Sequence, residues 1–190
     1  IDAANSDGTP IASQQELANL VRQALDAYSA ALNAIEAAAQ ANNASATTPT
    51  AAEYAALGVT GVNNNNLAAI NSVLNTAAVN GAAVDSAAEI QTLVDTYQKV
   101  FNAADGDDNN SGAAAPTLSD WQLLGLTGLD STKAGLMSDV VDGKQASDVN
   151  SVGSLQSLVD AIATVFSPTT DTTATSAQIN ALVSGQTPTG

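Results

Sequence analysis

The densest set of oxygen ligands in this sequence is the run Ala104-Asp105-Gly106-Asp107-Asp108-Asn109-Asn110-Ser111-Gly112. Asp105, Asp107 and Asn109 alternate as the first ligands of a calcium loop do, and calcium takes carboxylate and carbonyl oxygens. The spacing departs from an EF-hand at two places. Asn110 stands at the sixth position, where Gly makes the turn, and Pro116 at the twelfth, where Glu closes the site. Asp105, Asp107, Asp108 and Asn109 are therefore candidate ligands for calcium between two units of the chain, with a solvated linker as the plain alternative. Asp2, Asn5 and Asp7 form a sparser second set.

Other chemistry finds few residues to carry it. The chain has no His and no Cys, so it lacks the commonest general base and the strongest side-chain nucleophile. Zinc sites of the usual kind and disulfides are excluded with them. Ser and Thr are abundant but have no basic partner. Carboxylates such as Glu53 and Glu89 fall where helix caps need them. The sequence thus reads as non-enzymatic.

Lys and Arg total 4 against 19 acidic residues, for a net charge of −15. The cations Arg22, Lys99, Lys133 and Lys144 are scattered. Phosphate backbones and anionic bilayers both require clustered Lys and Arg, so neither nucleic acid nor a membrane surface is an expected partner. No run of about 18 apolar residues is present, so no membrane insertion is expected. Nor is there a basic segment leading into an apolar one, the mark of a signal peptide.

The elements that must position these residues come from an internal repeat. Thr50-Ala-Ala-Glu53-Tyr54-Ala-Ala-Leu57-Gly58-Val59-Thr60-Gly61-Val62 recurs as Thr117-Leu-Ser-Asp120-Trp121-Gln-Leu-Leu124-Gly125-Leu126-Thr127-Gly128-Leu129. Val84-Asp85-Ser86 followed by Ile90, Leu93, Val94, Asp95 and Phe101 recurs as Val149-Asn150-Ser151 followed by Leu155, Leu158, Val159, Asp160 and Phe166. Upstream, Ile11-Ala12-Ser13 with Glu16, Leu17, Leu20, Val21 and Tyr28 overlays Val84 to Phe101, which places Gly8 on Gly81 and Ile1 on Leu74. Thr175-Ser-Ala-Gln178-Ile179-Asn-Ala-Leu182 overlays Thr50 to Leu57. Residues 50–116 and 117–174 therefore read as two complete copies. Residues 1–49 read as the tail of a preceding copy, and 175–190 as the start of a following one. Such ends are those expected of a stretch of a longer array.

Each copy predicts three helices. Thr50 with Glu53 forms a capping box, in which hydroxyl and carboxylate satisfy early backbone N–H groups reciprocally. Thr117 with Asp120, Ser86 with Glu89 and Ser13 with Glu16 repeat it. Gly58 and Gly125 stop helix one, because Gly takes the left-handed conformation freely. Asn63 and Asp130 are expected to cap helix two. Apolar residues at i, i+3 and i+4 give each helix one buried stripe. The predicted spans are 13–40, 51–58, 64–77, 86–103, 118–125, 131–141, 152–165 and 176–183. The fold class is all-α, tandem three-helix-bundle repeats with short Gly/Asn/Asp-rich loops. With only 3% aromatic residues, the core must come from Ala, Leu, Val and Ile. Leu93, Phe101, Leu158 and Phe166 are expected in it, as are Tyr54, Trp121 and Tyr28. The helix from Ser13 keeps its stripe past Tyr28 through Leu32 and Ile35, further than one bundle needs. It is expected to pack on the next copy near Tyr54 and Ile70.

The pattern Tyr54-x-x-Leu57-Gly58-Val59-Thr60, Leu67-x-x-Ile70-Asn71 and Val84-Asp85-x-x-x-x-Ile90-x-x-Leu93 resembles the GA-type three-helix module of bacterial surface proteins. It is still more similar to the Ala/Asn/Asp-rich helical repeats of giant bacterial adhesins. The likeness covers most of the chain and its motifs are short and structural. It implies an extender region of an extracellular adhesin at the bacterial cell surface. The expected partners are neighbouring repeats, other surface proteins or copies of itself. A self-assembling surface-layer or filament subunit and a GA-type protein-binding module are the alternatives. Some GA modules bind serum albumin; this chain is more acidic with longer loops, and that binding is not carried over.

Overall fold

The computed structural model describes residues 13–42, 48–107 and 114–166 of the chain. Among them it has seven α-helices, one 3-10 turn and no strand longer than an isolated bridge. The helices are α1 (Gln14–Ala41), α2 (Ala51–Ala56), α3 (Leu67–Val73), α4 (Ala87–Ala103), α5 (Leu118–Leu123), α6 (Ser131–Asp142) and α7 (Val152–Val165), with the 3-10 turn at Gly81–Ala83 between α3 and α4. The described residues are mostly helical, as their periodicity requires.

Each helix starts where its cap residues stand. The Thr50 hydroxyl accepts from the Glu53 N–H, and the Glu53 carboxylate accepts from the Thr50 N–H at 2.6 Å. Thr117 and Asp120 repeat both bonds in α5. Ser13 accepts from Glu16, Ser86 from Glu89 and Ser151 from Ser154, opening α1, α4 and α7. Helices α2 and α5 end in matched left-handed glycines, Gly58 at φ 76° and Gly125 at φ 85°. There the N–H of Val59 reaches back to the Tyr54 carbonyl, and that of Leu126 to Trp121, in the Schellman pattern.

Helix α3 is shorter than the 64–77 span its periodicity predicts, for a local reason. The Asn66 side chain does not cap the helix. It accepts from the Asn63 N–H and donates to the Gly61 carbonyl. The asparagine run thus folds into a turn of its own, as Asn side chains readily do, and the helix begins at Leu67. Its far end loosens into turns from Ser72 to Val79.

Packing runs across the copies as well as within them. The second half of α1 buries Ala31, Ile35, Ala38 and Ala39, lying against α2 and the 3-10 turn. Helix α4 packs on α3 in its own copy and on α5 and α6 in the next, while α3 also meets α7. One hydrophobic cluster consequently runs from Ala31 to Ile162. Leu93, Leu158, Tyr54 and Trp121 lie inside it as expected. The expectation fails for the aromatics at the ends of the third helices: Tyr28 is exposed, Phe101 only partly covered, and Phe166 is 58% exposed. Tyr97, one turn before Phe101 and tilted against its ring at 5.0 Å, takes the central place instead.

Candidate functional site

The chemistry-bearing residues converge at the junction between the two copies. Helix α4 begins at Ala87 because Ser86 and Glu89 cap it, and this register lets Tyr97 and Lys99 reach Val149 and Asp120. The Tyr97 hydroxyl donates to the Val149 carbonyl at 2.9 Å. Burial pushes that phenol well above its ordinary pKa, so it stays a neutral donor. The Lys99 ammonium lies 3.0 Å from both oxygens of Asp120. Partial burial pulls the Asp120 carboxyl upward. The Thr117 N–H and hydroxyl, with Lys99, outweigh this and hold it below the usual carboxylate value. A third tie joins the Val152 N–H, at the first turn of α7, to the Ser72 hydroxyl of α3 at 2.9 Å. Gly125 lies so close to Thr76 that a Cβ there would come within 2.6 Å of the Thr76 Cβ.

Above these ties opens a groove of about 350 Å³, lined by Val79, Ala83 and Leu93 of the first copy and Leu123 of the second, with Glu89, Thr92 and Gln122 at its edge. It can accept a small apolar side chain. Its one carboxylate, Glu89, accepts from the Ser86 hydroxyl that caps α4, and this bond holds it charged below its ordinary pKa.

Within each copy a second polar device recurs. The Gln91 side chain accepts from the Thr60 N–H at 2.8 Å and donates to the Thr60 carbonyl. Gln156 does the same to Thr127. Each glutamine also donates to an aspartate one turn on, Asp95 or Asp160. These clamps pin the loop after helix one onto helix three. Asp95 and Asp160 are matched in the repeat, and the identical Gln four residues before each was the sequence signal for the clamp.

The acidic loop is only partly described. Asp105 is exposed, and its carboxylate accepts from the Asp107 N–H at 2.9 Å in a local turn. Its backbone pairs with Gln145 in an isolated antiparallel bridge. Asp108 and Asn109 lie outside the described residues, as do Asp2, Asn5 and Asp7. Among the described residues no three acidic side chains gather as a metal cage, and no helix is long and apolar enough to cross a membrane. Lys144, one of the four scattered cations, is buried, and burial lowers its pKa. No family model, curated protein or solved structure matches the chain.

Proposed function

We propose that this chain is a non-catalytic extender, a tandem array of three-helix units in a large bacterial surface protein, holding a distal part away from the cell. The observation that carries the reading is the burial of the second half of α1 against α2. A helix that starts in one unit and ends in the next passes distance and load along the chain without a flexible joint. At 28 residues, α1 is about 42 Å long. The Lys99–Asp120 pair and the Tyr97–Val149 and Ser72–Val152 bonds support the same reading at the next junction. Each unit alone has too little core to be robust, and stacking on neighbours adds the missing burial. The acidic surface suits an extracellular role, since like charge keeps long arrays apart.

Two measurements test this. Scattering from chains carrying added copies of residues 50–116 should show the maximum dimension growing by a constant step per copy. Protease treatment of intact source cells should release peptides of this chain. A compact particle whose dimension does not grow, or a chain confined to the cytosol, would refute the reading. A protein-binding role has one observation in its favour, the apolar groove between Val79, Leu93 and Leu123.

A further inference from the structure

The first half of α1 carries an apolar stripe that nothing among the described residues covers. Leu17 is 44% exposed, Val21 51%, Leu25 61% and Tyr28 36%. The second half of the same stripe is already an interface, with Ile35 fully buried. Counting from the capping serines Ser13, Ser86 and Ser151, Leu17 matches Ile90 and Leu155, and Val21 matches Val94 and Val159. In α4 and α7 those four residues are at most 1% exposed. Identical register and side-chain type thus meet opposite burial.

What lies over Val94 in α4 and Val159 in α7 is the loop after helix one. A Cβ on Gly61 would lie 3.7 Å from Val94 Cγ1, and one on Gly128 3.8 Å from Val159 Cγ1. Both glycines have positive φ, 85° and 87°, so the loop backbone turns directly over the valine. The glutamine clamps, Gln91 to Thr60 and Gln156 to Thr127, lock it there.

We infer that the face formed by Leu17, Val21 and Leu25 is a docking site for a helix-one–helix-two unit of this same repeat, of the type of residues 50–80, carried ahead of Ser13 in the same polypeptide. The inference rests on the extender reading and adds its rule of recognition. The incoming unit places a Leu-Gly-Val-Thr-Gly-Val loop over Val21 and its second helix beside Leu17. The joining sequence has the right form: Ile1, Gly8 and Ile11 match Leu74, Gly81 and Val84 ahead of the next capping serine. The face also differs from the other two in one respect. Ala18 stands where Gln91 and Gln156 make the clamp, so docking here is apolar and lacks that polar lock.

The test is a chain in which residues 50–85 replace residues 1–12 and run directly into Ser13, as they run into Ser86. Amide exchange at residues 17–28 should slow by about tenfold or more relative to the parent chain, since covered helix exchanges only through opening. Val21→Asp should return exchange to the parent rate, and Ala18→Gln should slow it further by installing the missing clamp. Unchanged exchange at 17–28 in the extended chain would overturn the inference. So would protection already present in the parent that is lost on dilution, which would make the face a contact between two copies of the chain. Amides of residues 31–39, read in the same experiment, separate this failure from a failure of the extender reading: they stay slow in the first case and exchange fast in the second.

Discussion

Lys99, near the end of α4, and Asp120, in the capping box of α5, form a 3.0 Å ion pair that fastens one copy to the next. Asp120 does two jobs with one carboxylate, since the same group caps its own helix through the Thr117 N–H. The pair is partly exposed, so its worth is modest. Lys99→Met should cost about 0.5–1 kcal/mol in denaturant unfolding at low salt, and less at 1 M salt. The pH dependence follows from the same group. Its folded pKa is depressed, so the stability it adds is present above the unfolded value of about 4 and is lost as pH falls below it. Asp120→Asn should flatten that acid limb of the stability curve. An unchanged limb would show that Asp120 does not contribute.

Trp121 replaces Tyr54 between the copies, and the replacement leaves a visible fault. In the first copy Tyr54 donates to Asn71 Oδ1 at 2.8 Å, and Asn71 Nδ2 donates to the Pro49 carbonyl at 2.7 Å. In the second, Ser138 donates to the Pro116 carbonyl at 2.6 Å, and the buried Trp121 Nε1 has no partner among the described residues. An unpaired buried donor costs about 1–3 kcal/mol. The double variant Trp121→Tyr, Ser138→Asn rebuilds the first copy's chain of bonds. It should be more stable than the sum of its single variants by about 1 kcal/mol, measured by circular dichroism in a double-mutant cycle. Strict additivity would refute the coupling.

Gly58 and Gly125 hold matching positions and nearly the same φ, but only Gly125 touches another copy. Ala at either site meets the same left-handed backbone, costing about 1 kcal/mol. At Gly58 the added Cβ meets open space, whereas at Gly125 it collides with Thr76. Gly125→Ala should therefore destabilise by about 1–3 kcal/mol more than Gly58→Ala. Equal losses would mean that the copies do not pack at Thr76.

Much of this was legible in the sequence because caps and stripes are local. The Thr50/Glu53 and Thr117/Asp120 boxes, the left-handed Gly58 and Gly125 and the register of α4 and α7 all follow from neighbours within a turn. What escaped was set by distant partners. Phe101 and Phe166 share a stripe with buried residues, but they sit at the helix ends, past the cover of their own loops. Tyr97 takes as its partner the Val149 carbonyl, 52 residues away, which no local pattern announces. The asparagine run 63–66 reads as a cap and turn; the turn is there, but the helix starts at Leu67 without a side-chain cap, since Asn66 donates to the Gly61 carbonyl. Of the four acidic-loop candidates, Asp105 and Asp107 are described and hydrogen-bond each other locally.

That local bond bears on calcium. The Asp105 carboxylate that accepts from the Asp107 N–H keeps lone pairs for an ion, so calcium binding at Asp105, Asp107 and Asp108 predicts a melting temperature that rises with millimolar calcium. A rise that disappears on replacing Asp105, Asp107 and Asp108 by Asn would assign a calcium site there, because a ligand bound only by the folded state stabilises it.

The proposed extender role rests on the second half of α1, and amide exchange across residues 31–39 tests it most directly. An Ala-rich helix standing alone in water is marginal, so an unpacked end would exchange within the ordinary fraying range. Packed on α2 through Ile35, it should exchange slowly and together with residues 51–57. Ile35→Asp should release both segments at once, because a buried carboxylate at that contact breaks the shared core. Fast exchange at 31–39 in the parent chain, or an Ile35→Asp variant that leaves residues 51–57 protected and stability unchanged, would contradict the account and leave the copies as independent units.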